Sequence, residues 1–549
     1  MNPIQYFSKN SLKPNCAKHL KSVFMGFLFL FMTTMLVAQE TFKNPILPGY
    51  HPDPSICRVG DDYYLVNSTF EWFPGMPIHH SKDLVNWELI GYGIHRPEQL
   101  TFQEGLGDYM GVFAVTIRYH EGIFYLINTC VQCEKGGNFY ITATNPAGPW
   151  SDPVWLDAPG IDPSLMWDDD GKCYYVGHGN LKEKQDWPDQ QGAWLQELDT
   201  KQGKLVGPRK QLTFGHANNA VWTEGPHLYK INGKYLLLVA EGGTGYNHST
   251  TVHHSDSIWG PYISDNVNPV LTHRHLGKDY PFHSMGHTDI IETQNGEWWA
   301  VMLGKRYVDG YTLLARETFL CPVKFEGQTP IFNVGKGIVE PEMKRPNLPW
   351  TPFVKKPIRD EFDGEHLNLE WNMLRTPQSN WYTLKDGQLE IQCRPNVLDS
   401  LTNPSLLARR IEHFNFTATL ALNFKSKKEN EKAGMILYRR SECHYQFLKE
   451  KNELVIIQTT PGEKKELARV ECKEENIILR AEANRRALKF SYGTSEDHMK
   501  AIGETYDMNV ISFEVAGGFN GPYVGMYASS TGKESKAKAT FNWFEYSGK

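Results

Sequence analysis

Three carboxylic acids and one histidine hold equivalent positions in segments of this sequence that resemble one another. Asp53, Asp162, Glu224 and His287 each begin such a segment, and Phe113 begins a fifth. Two of the acids open identical Asp-Pro-Ser tripeptides. Carboxyl groups gathered in one place can act as proton donor and proton acceptor, because neighbouring charges push their pKa values apart. The pattern therefore indicates acid–base chemistry, although acids are also common where strands end at a protein surface.

The repeated segments define the elements that must position these side chains. Each contains an apolar stretch, a tight turn and an aromatic-rich strand. The segments are DPSICRVGDDYYLV from Asp53, FAVTIRYHEGIFYLI from Phe113, DPSLMWDDDGKCYYVG from Asp162, EGPHLYKINGKYLLLVA from Glu224 and HTDIIETQNGEWWAVML from His287. Turn pairs such as Asn-Gly and Asp-Gly favour two-residue hairpins, so each segment predicts two strands joined by a hairpin.

The spacing of the segments predicts a five-bladed β-propeller over residues 39–341. They recur about every 50 to 60 residues, as blades do. Long helical periodicity is missing between them, which argues against an α/β barrel. The innermost strands of a propeller line its central channel, and their equivalent ends meet at its mouth. We therefore expect the three acids and the histidine to converge on one funnel.

A second all-β domain is predicted at 358–549. A proline-rich stretch at 342–357 indicates a stiff extended linker. After it come many short strands of alternating polarity, which are typical of a β-sandwich. The length of 549 residues agrees with two domains, since it exceeds what one compact core usually holds. The predicted fold class is all-β, a five-bladed propeller followed by a concanavalin-like β-sandwich.

The N-terminus has the layout of a secretory signal. Lys18 and Lys21 precede an apolar run that ends at Ala38, and polar sequence follows. The run is shorter than the roughly 20 residues that cross a membrane. We predict a cleaved signal peptide at 1–38 and a periplasmic or secreted protein, with a membrane anchor as the alternative.

Composition and cysteine content exclude several classes of function. The net charge of −6 is mild and gives no reason to expect binding to nucleic acid or to an anionic membrane. The chain contains no nucleotide or flavin motif. Its 9 cysteines are scattered and form no disulfide framework or zinc site. Cys130 and Cys133 form a lone CxxC, for which a local disulfide or two free thiols are better explanations than a metal.

Short motifs along the chain follow the order and spacing of one enzyme family. They are NPILPGYHPDPSI, TFEWFPGMPIHHSKDLVNW, GIDPSLMWDDDGK, TEGPHLYK, GHTDIIETQNGEWW and LLARETFLCPVKF. Together they resemble glycoside hydrolase family 43, and within it the β-xylosidases that carry a C-terminal sandwich. The resemblance covers nearly the whole chain after residue 38. It implies a five-bladed propeller, which the repeats also predict.

The resemblance implies roles for the three acids in inverting hydrolysis of a glycosidic bond. Asp53 matches the general base, which deprotonates a water, and Glu224 matches the general acid, which protonates the leaving oxygen. Inversion needs room for that water, so the two carboxyl groups should stand about 6.5–9.5 Å apart. We expect Asp162 to raise the pKa of Glu224 by like-charge repulsion and to orient it. The reaction requires no metal or other cofactor.

Several other residues are expected to bind the substrate. Arg316 should hold sugar hydroxyls and keep Asp53 ionised, or else it forms a structural salt bridge. Trp72 and Phe73 belong either to the pocket wall or to the packing between blades. His287 either binds a water or a channel cation such as calcium, or is a hydrogen-bonded core histidine.

Two phenylalanines bear on the shape of the pocket. Phe113 and Val115 stand where family members often have Trp and Pro, in a wall that touches the sugar. Phe519, in GGFNGPYVGMY, matches a sandwich loop that reaches the pocket in the family. A pocket closed in this way admits only a chain end and implies exo action. The alternative is that Phe519 packs inside a sandwich that serves stability or carbohydrate binding.

The leading functional hypothesis is an exo-acting enzyme that releases xylose from β-1,4-xylo-oligosaccharides or xylan ends. The alternative is an α-L-arabinofuranosidase that removes arabinose side chains, because the two sugars present similar hydroxyl patterns and one pocket could cleave both. A non-catalytic glycan-binding protein and an endo-acting arabinanase are the hypotheses from other classes. The expected partners are xylo- or arabinoxylo-oligosaccharides, without nucleic acid and without a membrane after signal cleavage.

Overall fold

The computed structural model describes residues 40–549, in which nearly all regular structure is β-strand. The predicted signal peptide lies outside these residues. The strands form five small antiparallel sheets followed by two large ones, with two further two-stranded pairings, which confirms the predicted order of propeller and sandwich. No helix within residues 40–549 is long and apolar enough to cross a membrane.

The first part of the chain contributes the strands of the propeller. They are β1 (Thr41–Lys43), β2 (Ser55–Val59), β3 (Asp62–Val66), β4 (Trp72–Phe73), β5 (Gly75–Ser81), β6 (Glu88–Ile94), β7 (Gly111–His120), β8 (Ile123–Val131), β9 (Gly137–Ala143), β10 (Val154–Leu156), β11 (Ser164–Trp167), β12 (Cys173–His178), β13 (Ala193–Asp199), β14 (Lys204–Thr213), β15 (Glu224–Ile231), β16 (Lys234–Glu241), β17 (Ser249–Ser255), β18 (Ile263–Ser264), β19 (Leu271–Thr272), β20 (Phe282–Glu292), β21 (Trp298–Arg306), β22 (Glu317–Glu326), β23 (Thr329–Phe332) and β24 (Glu342–Lys344).

Each blade is an antiparallel sheet that begins with its innermost strand. The blades are β2-β3-β5-β6, β7-β8-β9-β10, β11-β12-β13-β14, β15-β16-β17-β18 with β19 beside β17, and β20-β21-β22-β23. The first strands of neighbouring blades contact one another, so β2, β7, β11, β15 and β20 surround the axis. This is the arrangement that the repeat predicts.

The predicted two-residue hairpins form in three of the five blades. In the fourth blade, Asn232 and Gly233 both have positive φ, 52° and 78°, which is the type I′ geometry. The turns of the third and fifth blades are longer than predicted, because β11 ends at Trp167 and β20 ends at Glu292. Backbone bonds from the Asp168 amide to the Lys172 carbonyl and from the Thr293 amide to the Glu297 carbonyl close these wider loops.

The predicted linker begins inside a strand rather than after the propeller. Residues 342–344 form β24, which pairs antiparallel with β1 near the start of the described chain. The Asn44 amide also donates to the Pro341 carbonyl at 2.9 Å. Backbone pairing between the two ends of the propeller accounts for the difference from the predicted boundary at 342.

The C-terminal part is a sandwich of two antiparallel sheets. One sheet has the order β27-β28-β39-β30-β35-β36-β37, with β25 beside β39, and the other has β29-β38-β31-β32-β33-β34. Their strands and the two short helices are β25 (Arg359–Asp360), β26 (Met373–Leu374), β27 (Tyr382–Lys385), β28 (Gln388–Gln392), β29 (Ser405–Arg410), β30 (Asn415–Asn423), β31 (Lys432–Arg440), β32 (Cys443–Glu450), β33 (Glu453–Thr460), β34 (Glu463–Glu471), β35 (Asn476–Asn484), β36 (Ala487–Gly493), β37 (Met499–Asp507), a 3-10 helix (Met508–Ile511), α1 (Phe513–Ala516), β38 (Tyr523–Ser529) and β39 (Lys538–Gly548).

The two domains share backbone pairing and buried side chains. Strand β26 of the C-terminal part pairs with β4 of the first blade. The Trp72 ring is fully buried and stacks on Tyr523, with ring centroids 3.6 Å apart. The buried Arg375 guanidinium donates to the Leu106 carbonyl at 2.6 Å. These contacts cross the interface directly and fix the sandwich against the first two blades.

Replacing Trp72 with Ala should lower the free energy of unfolding by about 3–5 kcal/mol, because it leaves a cavity in the interface. Urea unfolding followed by tryptophan fluorescence would measure the loss. Val354→Ala is the matched control, since Val354 is 94% exposed and surface changes usually stay within about 0.5 kcal/mol. Equal midpoints for the two variants would contradict a stabilising interface.

Candidate active site

One cavity at the mouth of the propeller channel brings together all five equivalent positions of the repeat. Asp53, Phe113, Asp162, Glu224 and His287 line it together. Its volume is about 70 Å³, well below the roughly 300–1,000 Å³ of sites for drug-sized ligands. Larger clefts lie elsewhere on the surface, but this is where the three acids meet. The remaining wall residues are Phe70, Ala114, Ile161, Thr244, His248, Leu303, Arg316 and Phe519.

Irregular backbone at the inner strand ends turns these side chains toward the axis. Asp53, Asp162 and His287 have φ of 50°, 49° and 53°, a left-handed conformation in which Asp and His are enriched. In the fourth blade the pairing of β15 with β16 shifts register after Glu224. Such bulges re-aim side chains. Left-handed backbone in three blades and a bulge in the fourth therefore turn these four side chains toward the cavity.

Both carboxylate oxygens of Asp53 accept a hydrogen bond from a buried donor. Arg316 Nη1 donates to Oδ1 at 2.6 Å, and the Ser68 hydroxyl donates to Oδ2. The Arg316 and Asp53 side chains are only 7% and 5% exposed. A carboxylate oxygen has two lone pairs, so each oxygen keeps one for a further donor such as a water. The contacts fix the orientation of Asp53 and leave it able to accept a proton.

Glu224 is partly accessible from the cavity but is otherwise surrounded by protein. Loss of hydration and, next, the charge of Asp53 raise the pKa of Glu224 to about 7, although Arg316 opposes this rise. The motifs led us to expect this effect from Asp162. That expectation is wrong, because burial contributes most to the rise and Asp53 supplies the repelling charge, and burial cannot be read from motif spacing. Near neutral pH, Glu224 can therefore hold the proton that a general acid needs.

Asp162 shares this buried environment with Glu224. Burial, followed by repulsion from Glu224 and Asp53, raises the pKa of Asp162 well above its usual range, whereas a hydrogen bond from the Gly225 backbone lowers it. Two carboxyl groups that repel each other titrate as a pair rather than independently. Asp162 and Glu224 therefore retain at least one proton between them close to neutrality.

Gly225 allows the fourth and fifth blades to approach each other. Its φ is 57°, and a Cβ there would stand 2.9 Å from the His287 ring. A side chain at this position would therefore displace His287 from the cavity wall. Because Gly225 directly follows Glu224, it both affects the backbone conformation at Glu224 and leaves space for the His287 ring.

Arg316 lies between the two domains. Its guanidinium carbon is 5.4 Å from the Phe70 ring centroid and 5.5 Å from the Phe519 ring centroid. Nη2 donates to the Phe519 carbonyl at 3.1 Å. The sequence offered two interpretations, a sugar contact and a structural salt bridge. The structure shows the ion pair with Asp53 in a side chain that also lines the cavity, and the sugar contact stays a prediction.

Trp72 and Phe73 do not line the cavity, so their assignment to the pocket wall is corrected. Trp72 is buried against Tyr523 in the domain interface, and Phe73 is buried in the core shared by the first two blades. Phe70, from the same motif, takes the wall position. Its φ of 52° breaks the regular alternation of side chains, and alternation alone cannot reveal which ring faces the axis.

Phe519 reaches the cavity from the sandwich, as the resemblance implies. Its ring stacks on Phe70 with centroids 5.9 Å apart and meets Phe113 edge-on at 6.3 Å. The alternative in which Phe519 packs inside the sandwich is therefore wrong. Val115, in contrast, is buried within its blade. Of the two departures from the family pattern, only Phe113 stands in the wall.

The sequence did not predict three wall residues that lie in or after the second strands of the fourth and fifth blades. Thr244 and His248 come from the loop between β16 and β17, and Leu303 lies in β21. Lys305 supports them, because its buried ammonium donates to the Thr244 carbonyl at 2.8 Å. Burial and the charge of Arg316 lower the pKa of Lys305 to about 7. These positions lie outside the repeated strand starts, so the repeat gives no signal for them.

A hydrogen-bonded ion pair fills the axis near His287. Arg118 Nη1 donates to Asp289 at 2.8 Å, and its Nη2 lies 2.9 Å from Nδ1 of His227. Ser55 and the Tyr229 hydroxyl also donate to Asp289. Within residues 40–549, no three His, Cys, Asp or Glu side chains are grouped in a way that could hold a metal ion.

The CxxC loop behind the second blade forms a local disulfide between Cys130 and Cys133. This is one of the two alternatives that the sequence left open. The other cysteines of the described chain are buried free thiols. The pair lies at the end of β8, where Cys130 pairs with Val112 next to Phe113, but neither cysteine lines the cavity.

Comparison with known proteins matches both domains to one enzyme group. The family model "Glycosyl hydrolases family 43" matches residues 42–330, and "Beta xylosidase C-terminal Concanavalin A-like domain" matches residues 359–547. The chain is 40% identical over 529 residues to the "Non-reducing end alpha-L-arabinofuranosidase BoGH43B" of Bacteroides ovatus, covering 94% of this chain and 97% of that protein. It is also 40% identical to the "Xylosidase/arabinosidase" of Butyrivibrio fibrisolvens, covering 91% and 98%.

Solved structures show the same two-domain arrangement. A xylan β-1,4-xylosidase from Bacillus halodurans superposes with a TM-score of 0.87 at 37% identity, covering 92% of this chain and 99% of that one. The xyloglucan-locus GH43B structure from Bacteroides ovatus also has a TM-score of 0.87, at 39% identity, covering 93% and 100%. The fold and the order of the domains are thus shared along almost the whole described chain.

Replacing Asp53 with Asn should bring the pKa of Glu224 below about 7. The substitution removes the repulsive charge that raises this pKa and frees Arg316, which lowers it. A pH titration of ¹³C-labelled glutamate carboxyl groups by NMR would measure the shift. Asp152→Asn, at a side chain 81% exposed, should leave the titration of Glu224 unchanged. An unchanged pKa in the Asp53 variant would mean that burial alone sets it.

Proposed function

The chain belongs to family 43 of the glycosyl hydrolases. We propose that it removes single pentose units from the ends of plant xylan fragments. The leading substrate is a β-1,4-linked xylo-oligosaccharide. One observation carries the proposal: a cavity of about 70 Å³, walled in part by the second domain, holds the three acids together. Walls from both domains leave room for the end of a chain rather than for a continuous chain.

Inverting hydrolysis follows from placing two carboxyl groups with opposite protonation in one cavity. Glu224 donates its proton to the glycosidic oxygen as the bond to the anomeric carbon breaks. Asp53 takes a proton from a water, whose oxygen bonds to the anomeric carbon from the opposite face. The products are the free pentose and the shortened chain. Glu224 ends as a carboxylate and Asp53 as an acid, and exchange with solvent restores both.

Asp162 and Arg316 support these two residues electrostatically. Burial and the charges of Glu224 and Asp53 raise the pKa of Asp162, so it would share the proton of this buried pair of acids and limit the negative charge beside Glu224. Arg316 is paired with Asp53, which orients the base and compensates its charge. Neither residue transfers a proton in this scheme. Both would act by holding the two reacting carboxyl groups in the right charge state and position.

Exo action is supported by the wall that Phe519 provides. The ring comes from the loop before β38 of the sandwich and contacts Phe70 and Phe113 of the propeller. A polymer running through the site would need this side to be open. We therefore favour an exo-enzyme over the endo-arabinanase hypothesis. The three acids in one cavity likewise argue against a non-catalytic glycan-binding protein.

An α-L-arabinofuranosidase is the second candidate function. Two relatives, each 40% identical to this chain, are named for arabinofuranosidase activity and for combined xylosidase and arabinosidase activity. The "Xylan 1,3-beta-xylosidase" of a Vibrio species is 36% identical over 544 residues. Because such relatives span both activities, we include both sugars in the proposal and place xylose first.

A calcium ion near His287 is not part of the proposed mechanism. Calcium takes about six to eight oxygen ligands. The neighbouring carboxylate of Asp289 already pairs with Arg118 and accepts hydrogen bonds from Ser55 and Tyr229. These residues do not fit a calcium site built from protein oxygens, and the reaction above uses only side chains and water.

We further propose that residues 1–38 are a cleaved signal and that the enzyme acts in the periplasm or outside the cell. The charged and apolar layout of that segment supports this, and the Cys130–Cys133 disulfide suits an oxidising compartment. N-terminal sequencing of exported protein would test it. A chain that still starts at Met1 would contradict cleavage.

The proposed function predicts hydrolysis of 4-nitrophenyl β-D-xylopyranoside, with the α-L-arabinofuranoside as the comparison substrate. The product anomer, followed by NMR, should be inverted relative to the substrate. On xylo-oligosaccharides, xylose should appear first, whereas longer first products would favour endo action. Glu224→Gln should lower kcat at least about 100-fold on oligosaccharides, because proton donation to the leaving oxygen is lost. Wild-type activity in this variant would refute the assignment of the acid.

The rate should depend on pH through Glu224. Its pKa is raised to about 7, and the reactive form carries the proton. We therefore expect kcat/KM on xylobiose to be high below pH 7 and to fall about tenfold per unit well above it. Initial rates between pH 5 and 9 would measure this limb. A rate that rises through pH 7 would contradict Glu224 as the proton donor.

A further inference from the structure

Trp222 is an exposed aromatic residue next to the general acid. It has no role in the hydrolysis described above. It stands two residues before Glu224 and is 46% exposed. Thr223, between them, is fully buried. Because consecutive Cα atoms are about 3.8 Å apart, the Cα atoms of Trp222 and Glu224 lie within roughly 7.6 Å of each other. The backbone that carries the indole therefore lies beside the acid.

A second contact places the ring against the loop between β16 and β17. A Cβ on Gly243 would stand 2.7 Å from Cε3 of Trp222, so the indole lies over the glycine backbone. The next residue, Thr244, lines the cavity. The Gly242 amide also donates to the Val221 carbonyl at 3.0 Å. The segments 221–224 and 242–244, which both continue into the cavity wall, thus lie side by side, and the indole of the first rests on the second.

The ring is held in place although it is exposed. Trp222 has φ of 49°, a conformation that bulky residues rarely adopt and that costs free energy. Its amide donates to the Asp189 carbonyl at 3.2 Å. Trp187 braces the same loop, since its indole N–H donates to the Ala220 carbonyl at 2.7 Å. An indole that merely packed on the surface would need no such bracing.

We propose that Trp222 is the platform for the sugar on the leaving side of the scissile bond. The inference rests on the proposed function and extends it. A general acid protonates the oxygen of the leaving group, so residues at the outer edge of Glu224 face that group. The leaving unit of a xylan fragment is a pyranose, whose C–H face is apolar and matches an indole face. Trp222 would thus select for a pyranose next to the released pentose.

The test compares two substrates that share the reacting sugar and differ in the leaving group. Xylobiose has a pyranose to stack on Trp222, and β-D-xylopyranosyl fluoride has only one atom there. Trp222→Ala should lower kcat/KM for xylobiose roughly three- to tenfold, mainly through KM. The fluoride should react at the wild-type rate, which also shows that the variant is folded. Trp222→Phe should keep most of the activity on xylobiose.

Tyr119→Ala is the matched control, because Tyr119 is 37% exposed at the far end of β7. It should leave both substrates unaffected. An equal loss on both substrates in Trp222→Ala, or no loss on xylobiose, would overturn the platform while leaving the proposed function intact. If the wild-type protein hydrolyses neither compound, the proposed function fails and the inference fails with it.

Discussion

The buried ion pair between Asp53 and Arg316 is the interaction on which the site depends. Removing two charges from water is costly, and the cost is recovered only when both groups are well paired. Arg316 satisfies this condition by joining the carboxylate of the first blade to the Phe519 carbonyl of the sandwich. The pair therefore links catalysis to domain packing. A sandwich displaced from the propeller would deprive Arg316 of the Phe519 carbonyl and the cavity of one wall.

The same exclusion of water makes the carboxyl groups differ in how readily they hold a proton. Asp53 has a guanidinium partner and a hydroxyl donor, whereas Glu224 has no cation as close, and burial raises its pKa to about 7. Asp162 is buried and repelled by both of these carboxylates, which raises its own pKa. Two carboxyl groups in one small cavity thus become a base and an acid through their neighbours, not through any difference in intrinsic chemistry.

The sequence predicted what depends on repetition and missed what depends on packing. The positions of Asp53, Phe113, Asp162, Glu224 and His287 follow from equivalence between blades, because equivalent strand ends meet at the axis. The motif around Phe70 and Trp72 contains several aromatic residues, and a left-handed backbone at Phe70 decides which ring faces the cavity. Thr244 and His248 lie in a loop whose path is set by Lys305 and by contacts between blades. Contacts of this kind produce no repeated pattern in the amino-acid sequence.

The Arg118–Asp289 pair determines by which route the products can leave the cavity. A propeller has an axial tunnel, but here hydrogen-bonded side chains occupy it beneath His287. The pentose must then leave by the opening through which the substrate entered. While the shortened chain still covers that opening, the monosaccharide behind it is trapped. Departure is therefore sequential, the longer fragment first and the single sugar last, and free pentose in the medium competes with each new chain for the empty enzyme.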